Sequence, residues 1–206
     1  DEVKYTKNDW RNRNKIYTSN GMQWLTIPID KNAVKQKISE VKITDTHWQE
    51  LHYRSLFFGY KSAPFFFQLD KILKEVYIES NWNYLSELNH FLIKKISSLL
   101  GIKTQFVDSK NYNLEGERVE RLIYLLKQAA ATEYISGPSA KNYLADSEHL
   151  FADNNIKLIY KQYPSYRDYQ QLSSPFRHDV SILDLIVNLP IDKVKDYIWN
   201  IKKYSV

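Results

Sequence analysis

The chain has 206 residues and no cysteine. That absence excludes a thiol nucleophile, an acyl-thioester carried on the protein, a disulfide framework and a thiolate zinc site. Glycine and proline are sparse, at 5 and 6 residues, and no internal repeat, low-complexity tract or linker breaks the text. No apolar run approaches the roughly 18–20 residues that a membrane-spanning helix needs. The start, DEVKYTKNDW, is polar and charged and does not read as a signal peptide, so the expectation is a cytoplasmic protein. With no initiator Met, the native N-terminus is expected upstream of Asp1. The 5 histidines include no pair spaced as on a zinc-binding helix, and neither a metal nor a cofactor is expected.

What is present is aromatic and basic. Sixteen Tyr, 9 Phe and 5 Trp supply rings that can stack on flat or sugar-like ligands. The net charge of +5 favours an anionic partner: a phosphorylated small molecule, nucleic acid or a membrane surface. Apolar and charged fractions of 43% and 26% are those of a globular protein, and the length suits a single domain over 1–206.

Local patterns predict the elements. DEVKY reads as a strand, and RNRNKIYTSNGMQWLTIPI as a β-hairpin turning at Asn20-Gly21, where positive φ is tolerated. A short strand is expected in VKIT. Helices follow from about His47 behind Asp45 or Thr46, from Pro64 with Leu69, Ile72, Leu73 and Val76 on one stripe, and from Leu85 to Gly101. Thereafter IKTQFVDS, TEYISG and IKLIYKQY alternate with helical stretches. That β-α-β-α-β order predicts an α/β fold, a mostly parallel sheet with helical crossovers in a three-layer, Rossmann-like arrangement. The hairpin and a helical middle segment would precede it. Two helical pieces separated by Pro190 are expected to end the chain.

Two constellations invite chemistry. On a strand, Arg11, Arg13 and Lys15 share one face at spacings of about 7 Å, with Asn12 and Asn14 on the other. This suits a phosphate cradle with asparagines on sugar hydroxyls, and equally a solvated edge strand. In YISGPSAKNYL, Ser136-Gly137 ends a strand where Pro138 begins a helix, an arrangement suited to an anion or to a tight connection without a ligand. Asp108-Ser109 would lie on the same edge. His52 and Asp184 are the candidate general bases, each also readable as a satisfied structural group. No P-loop, dinucleotide fingerprint or Gly-x-Ser-x-Gly elbow is present.

The blocks KNDWRNRNKI…GMQWLTIPI, HWQELHYRSLFFGYKSAPFF, ATEYISGPSAKNYL and YRDYQQLSSPFRHDVSILDLIVN, in this order, resemble the bacterial WbqC-like protein family across essentially the whole chain. The family-like positions are Lys7, Arg11, Asn12, Arg13, Asn14, Lys15, Trp24 and Thr26, then His52, Tyr60, Pro64, Ser136, Gly137, Tyr143, Gln171, Ser181 and Asp184. The resemblance implies an association with O-antigen and other surface-polysaccharide genes and a role as a glycine or other aminoacyl transferase to an amino sugar. It also implies a strand-helix segment with a Gln-Pro…Pro…Gly-Tyr motif ahead of Asp1, and an Asn-Gly where this chain reads DLIVNLPID.

The leading expectation is therefore an acyl or aminoacyl transferase acting on a nucleotide-linked amino sugar, an anionic small molecule. Hairpin cations would bind phosphate, facing the strand ends that carry Asp1, Ser109 and Ser136. Trp24 and Tyr143 would stack on base or sugar, with Tyr60 and Gln171 in the same site. The alternative is a non-enzymatic binder of sugar nucleotides or single-stranded nucleic acid, where rings stack on bases and cations track phosphates. Nucleic acid ranks lower because Lys alternates with Glu and Asp elsewhere. The oligomeric state is not encoded in any pattern.

Overall fold

The computed structural model describes residues 2–7, 10–163 and 165–199, and the chain is a mixed α/β protein in two compact units. The first unit comprises Asp1–Gln105 with Tyr166–Val206, and the second comprises Phe106–Ser165.

In the first unit, β1 (Arg13–Thr18) and β2 (Gly21–Thr26) form the antiparallel hairpin, with Lys15 opposite Trp24 and Ile16 opposite Gln23. Gly21 sits at φ +94°, so the turn needs the residue that adopts this conformation without strain. Helix α1 (His47–Tyr60) begins where the Asp45 carboxylate accepts from the His47 N–H, 2.9 Å away. Its buried stripe runs from Trp48 through His52 and Leu56 to Tyr60, and a Cβ on the neighbouring Gly59 would lie 2.5 Å from Thr18 Cγ2. The missing side chain lets β1 approach the helix.

Helix α2 (Phe67–Lys74) begins later than Pro64 and continues as a π-helical turn over Glu75–Glu79. Helix α3 (Leu85–Leu99) stops at Gly101, φ +63°. The predicted strand at DEVKY is reduced to a bridge between Lys4 and Lys37, with Asp1 outside the described residues; VKIT is reduced to bridges from Lys42 to Tyr84 and Ile43 to Ile29. One core cluster joins Ile16, Leu56, Tyr60, Leu69, Ile186 and Val187; another joins Ile27, Val41, Trp48, Val76, Leu85 and Leu88. Full burial of each such aliphatic side chain stabilises by about 1.5–3 kcal/mol.

In the second unit, α4 (Arg118–Gln128) precedes β3 (Glu133–Ser136). The short helices α5 (Lys141–Leu144) and α6 (Glu148–Asp153) lead to β4 (Lys157–Tyr160), which pairs with β3 in parallel. Ile123, Leu126, Leu144, Phe151 and Ile156 form its core. Of the expected β-α-β-α-β run, the last two strands and their helices are present. IKTQFVDS, Ile102–Ser109, read as the first strand, carries no strand: Ile102–Asp108 is exposed almost throughout, so its alternation buries nothing that would fix a ladder, and Ser109 begins a 3₁₀ turn. The sheet is thus a two-stranded parallel pair.

Back in the first unit, α7 (Ile182–Asn188) and α8 (Ile191–Ile198) flank Pro190 as predicted, and Asn200–Tyr204 of the expected second piece lie outside the described residues. Among the described residues no helix is long and apolar enough to cross a membrane.

Candidate functional site

The site is assembled on the outer face of the hairpin. The alternation of β1 turns Ile16 into the core and leaves Arg13 and Lys15 on the other side, where both lie over the ring of Trp24, at 4.7 and 5.1 Å from its centroid. Trp24 is 50% exposed, so a half-open indole lies against two cations of the neighbouring strand. Arg11 makes a similar contact with the exposed Trp10, at 4.7 Å.

The free edge of β1 is covered by the segment leading into α7. Ser181 N–H donates to the Lys15 carbonyl at 2.8 Å, and Tyr17 N–H donates to the Tyr60 hydroxyl at 3.1 Å. Behind this edge lies Asp184, 0% exposed. Its carboxylate accepts from Tyr60 at 3.0 Å, from Tyr169 at 2.7 Å and from the Gln171 amide at 2.9 Å, while Asn188 donates to its backbone carbonyl at 2.8 Å. Burial, reinforced by the Asp184 charge, pushes both phenols far above the usual tyrosine range, so they act as permanent donors. Gln171 passes the order outward, accepting from Arg177 N–H at 2.8 Å and donating to the Arg177 carbonyl at 2.9 Å.

At the surface the Arg177 guanidinium forks onto Asp179, at 3.0 and 3.2 Å, and Lys15 Nζ approaches the same carboxylate at 2.6 Å. The Lys15 hydrogen bond first, and Arg177 second, hold the Asp179 carboxyl down at about 2.

His52 lies elsewhere, 7% exposed, edge-on to Trp48 and Tyr77 with centroids 5.1 and 6.1 Å away. Burial lowers its pKa to about 4, opposed by a backbone hydrogen bond with Thr26, so at neutral pH the ring is uncharged. Asn12 is committed inward: its amide donates to the Ile27 carbonyl and accepts from Tyr5, each at 3.0 Å. Asn14 is exposed and accepts from Lys15 N–H, and Lys7 is exposed.

Ser136, Gly137 and Tyr143 belong to the second unit. Ser136 is buried, Tyr143 is exposed, and the helix expected from Pro138 is a 3₁₀ turn followed by the single turn of α5. Asp108 caps a 3₁₀ turn at Ser109–Asn111 by accepting from Lys110 N–H. Surface clefts of about 470 Å³, lined by Asp70, Lys74, Glu75 and Lys95 among others, and of about 410 Å³, around His149, Phe151 and Tyr160, contain none of the predicted site residues. Among the described residues no group of three or more His, Asp or Glu could hold a metal ion.

The sequence pattern of the WbqC-like protein family matches residues 1–196, spanning both units. The chain belongs to the WbqC-like protein family. It is also 45% identical over 190 residues to uncharacterized protein Rv1507c of Mycobacterium tuberculosis (strain ATCC 25618 / H37Rv), covering 92% of this chain and 81% of that one. No solved structure matches it. In this WbqC-like chain, the structure brings together Arg13, Lys15, Trp24, Tyr60, Gln171, Ser181 and Asp184 from the predicted set. Sequence reasoning missed Tyr169, Arg177 and Asp179. Their signal was available: YQQLSSPFRHD sets a fixed tyrosine and an Arg-x-Asp pair in one loop, but pairing with Lys15 needs the fold.

Proposed function

We propose that this protein is a cytoplasmic acyl or aminoacyl transferase, glycine being one candidate donor group, acting on a nucleotide-linked amino sugar in the assembly of O-antigen or another surface polysaccharide. The observation that carries the reading is the half-exposed Trp24 ring with Arg13 and Lys15 over it. A base or sugar ring stacks on the indole while the cations meet its phosphates, each contact using a group already held in place. Arg11, over Trp10, and the exposed Lys7 are further cations for the phosphates in this reading, and Asn14 supplies amide contacts for hydroxyls. The second unit, taken by itself, offers Ser136, Gly137 and Tyr143 to a carboxyl or phosphate group, and the family match over residues 1–196 supports counting the chain as one WbqC-like domain.

The reaction forms a bond between the sugar amine nitrogen and the acyl carbon and breaks the bond from that carbon to its leaving group. One amine proton is released. His52 is unprotonated at neutral pH, but it and Asp184 are each buried among protein partners. In this reading they position the binding face, His52 beside β2 and Asp184 behind β1, and the proton passes to solvent or with the leaving group.

Thermal-shift titration with nucleotide-linked amino sugars tests this. Arg13→Ala and Trp24→Ala are expected to weaken the best ligand by about tenfold or more each, with the ligand-free midpoint little changed. Equal binding by wild type and both variants would overturn the reading.

A second reading has support from one observation: Trp10 and Trp24 are both exposed and each carries an arginine over its ring, the pairing that single-stranded nucleic acid uses. Stabilisation by oligonucleotides alone, lost steeply with salt, would select it.

A further inference from the structure

We infer that Lys15 and Arg177 form a preformed subsite for a multiply charged phosphate or pyrophosphate group, and that Asp179 occupies it as an internal competitor until such a ligand displaces it. The inference rests on the nucleotide-sugar reading for its biological ligand, but its geometry stands separately.

The arrangement does not look like a salt bridge placed to hold a loop. The backbone on both sides of Asp179 is secured by other means: Arg177 N–H and C=O are both bonded to the Gln171 side chain, and Ser181 N–H is bonded to Lys15. Gln171 is itself fixed by the fully buried Asp184. Lys15 is fixed from the other side, on a strand whose edge is covered and whose ring neighbour is Trp24. Removing Asp179 therefore leaves in place the backbone that carries both cations, from which the guanidinium and the ammonium still reach one point.

That point is filled by a carboxylate making the contacts a phosphate would make: a two-nitrogen fork from arginine at 3.0 and 3.2 Å and an ammonium at 2.6 Å. Asp179 is ionised throughout the neutral range, so the competitor is always charged. A tethered carboxylate acts at high effective concentration. A ligand that displaces it must offer more than another carboxylate does, namely a second negative charge and additional oxygens. The subsite thereby discriminates for phosphate dianions and pyrophosphate over monocarboxylates. Trp24, adjoining Lys15, places a stacking surface beside the phosphate.

Isothermal titration of the full chain with inorganic pyrophosphate and, separately, acetate tests the inference. Asp179→Asn, nearly isosteric, should bind pyrophosphate about tenfold or more tighter than wild type. Adding Arg177→Gln should abolish that gain. Glu87→Gln, which removes an exposed negative charge elsewhere, should give no comparable gain. A gain equal to that of Glu87→Gln, or one that survives Arg177→Gln, would overturn the subsite, as would acetate binding as well as pyrophosphate.

Lys15→Gln and Arg177→Gln in the wild-type background provide a second check. Each should weaken pyrophosphate binding, and unchanged binding in both overturns the inference whatever Asp179→Asn does. A nucleoside diphosphate sugar separates the two levels. If the pyrophosphate pattern holds but the sugar nucleotide binds no tighter than pyrophosphate, the subsite stands and the transferase reading falls.

Discussion

Asp179 and Asp184 stand on one short stretch of chain, and their surroundings give them opposite work. Asp184 is buried and meets only neutral donors: two phenols and the amides of Gln171 and Asn188. Asp179 is exposed and meets only cations. A buried carboxylate without a counter-ion survives because hydrogen bonds replace its hydration, and removing it leaves several donors with nothing to bond. An exposed carboxylate between cations keeps water as an alternative partner, so its loss costs the fold little and frees two positive charges. The first aspartate builds the platform; the second fills what the platform presents.

The sharpest way to break this contrast is at its buried end. Asp184→Ala removes the acceptor that Tyr60, Tyr169 and Gln171 share and leaves a buried gap, and should lower stability by about 2–4 kcal/mol. Urea unfolding followed by circular dichroism measures this. A loss under about 1 kcal/mol would mean the network relaxes onto water, and the platform argument would fail.

A smaller effect distinguishes His52, the other buried ionisable group. Its folded pKa is about 4 against an ordinary 6.5, so between those values the unfolded chain binds the extra proton. Stability from this group is therefore present above pH 6.5 and is lost as the pH falls from 6.5 towards 4, by at most about 3 kcal/mol. His52→Gln should flatten that part of the pH profile of the urea midpoint. Parallel profiles for wild type and variant would assign the acid sensitivity to carboxylates instead.

How much of this was legible differs between the same regions. The hairpin was readable because Asn-Gly and the alternation in RNRNKIYT are local signals, and the long helices because their stripes repeat. Of Arg11, Arg13 and Lys15, expected on one face from the two-residue period, Arg13 and Lys15 both meet Trp24, while Arg11 precedes β1 and meets Trp10 instead. The strand expected at Ile102–Ser109 failed for the converse reason: alternation gives a strand only where a partner and a core reward it, and neither is visible in the text. Asn12 appeared to belong with the ligand-facing asparagines, yet it precedes β1, where strand alternation no longer applies and its amide turns inward to Ile27. The Lys15 to Asp179 contact spans 164 positions, a separation at which sequence spacing carries no information.

The smallest expected effect sharpens the contrast most. Asp179→Asn should leave the urea midpoint of the ligand-free protein unchanged within experimental scatter, because Gln171 and Ser181 hold the loop without it. A clear fall in the midpoint would show that Asp179 fastens the loop, and the two aspartates would then differ in degree and not in kind. An unchanged midpoint, set beside the collapse expected for Asp184→Ala, would mean that the cations of the surface cluster are positioned from beneath. Their charge is then available to whatever anion can replace the carboxylate.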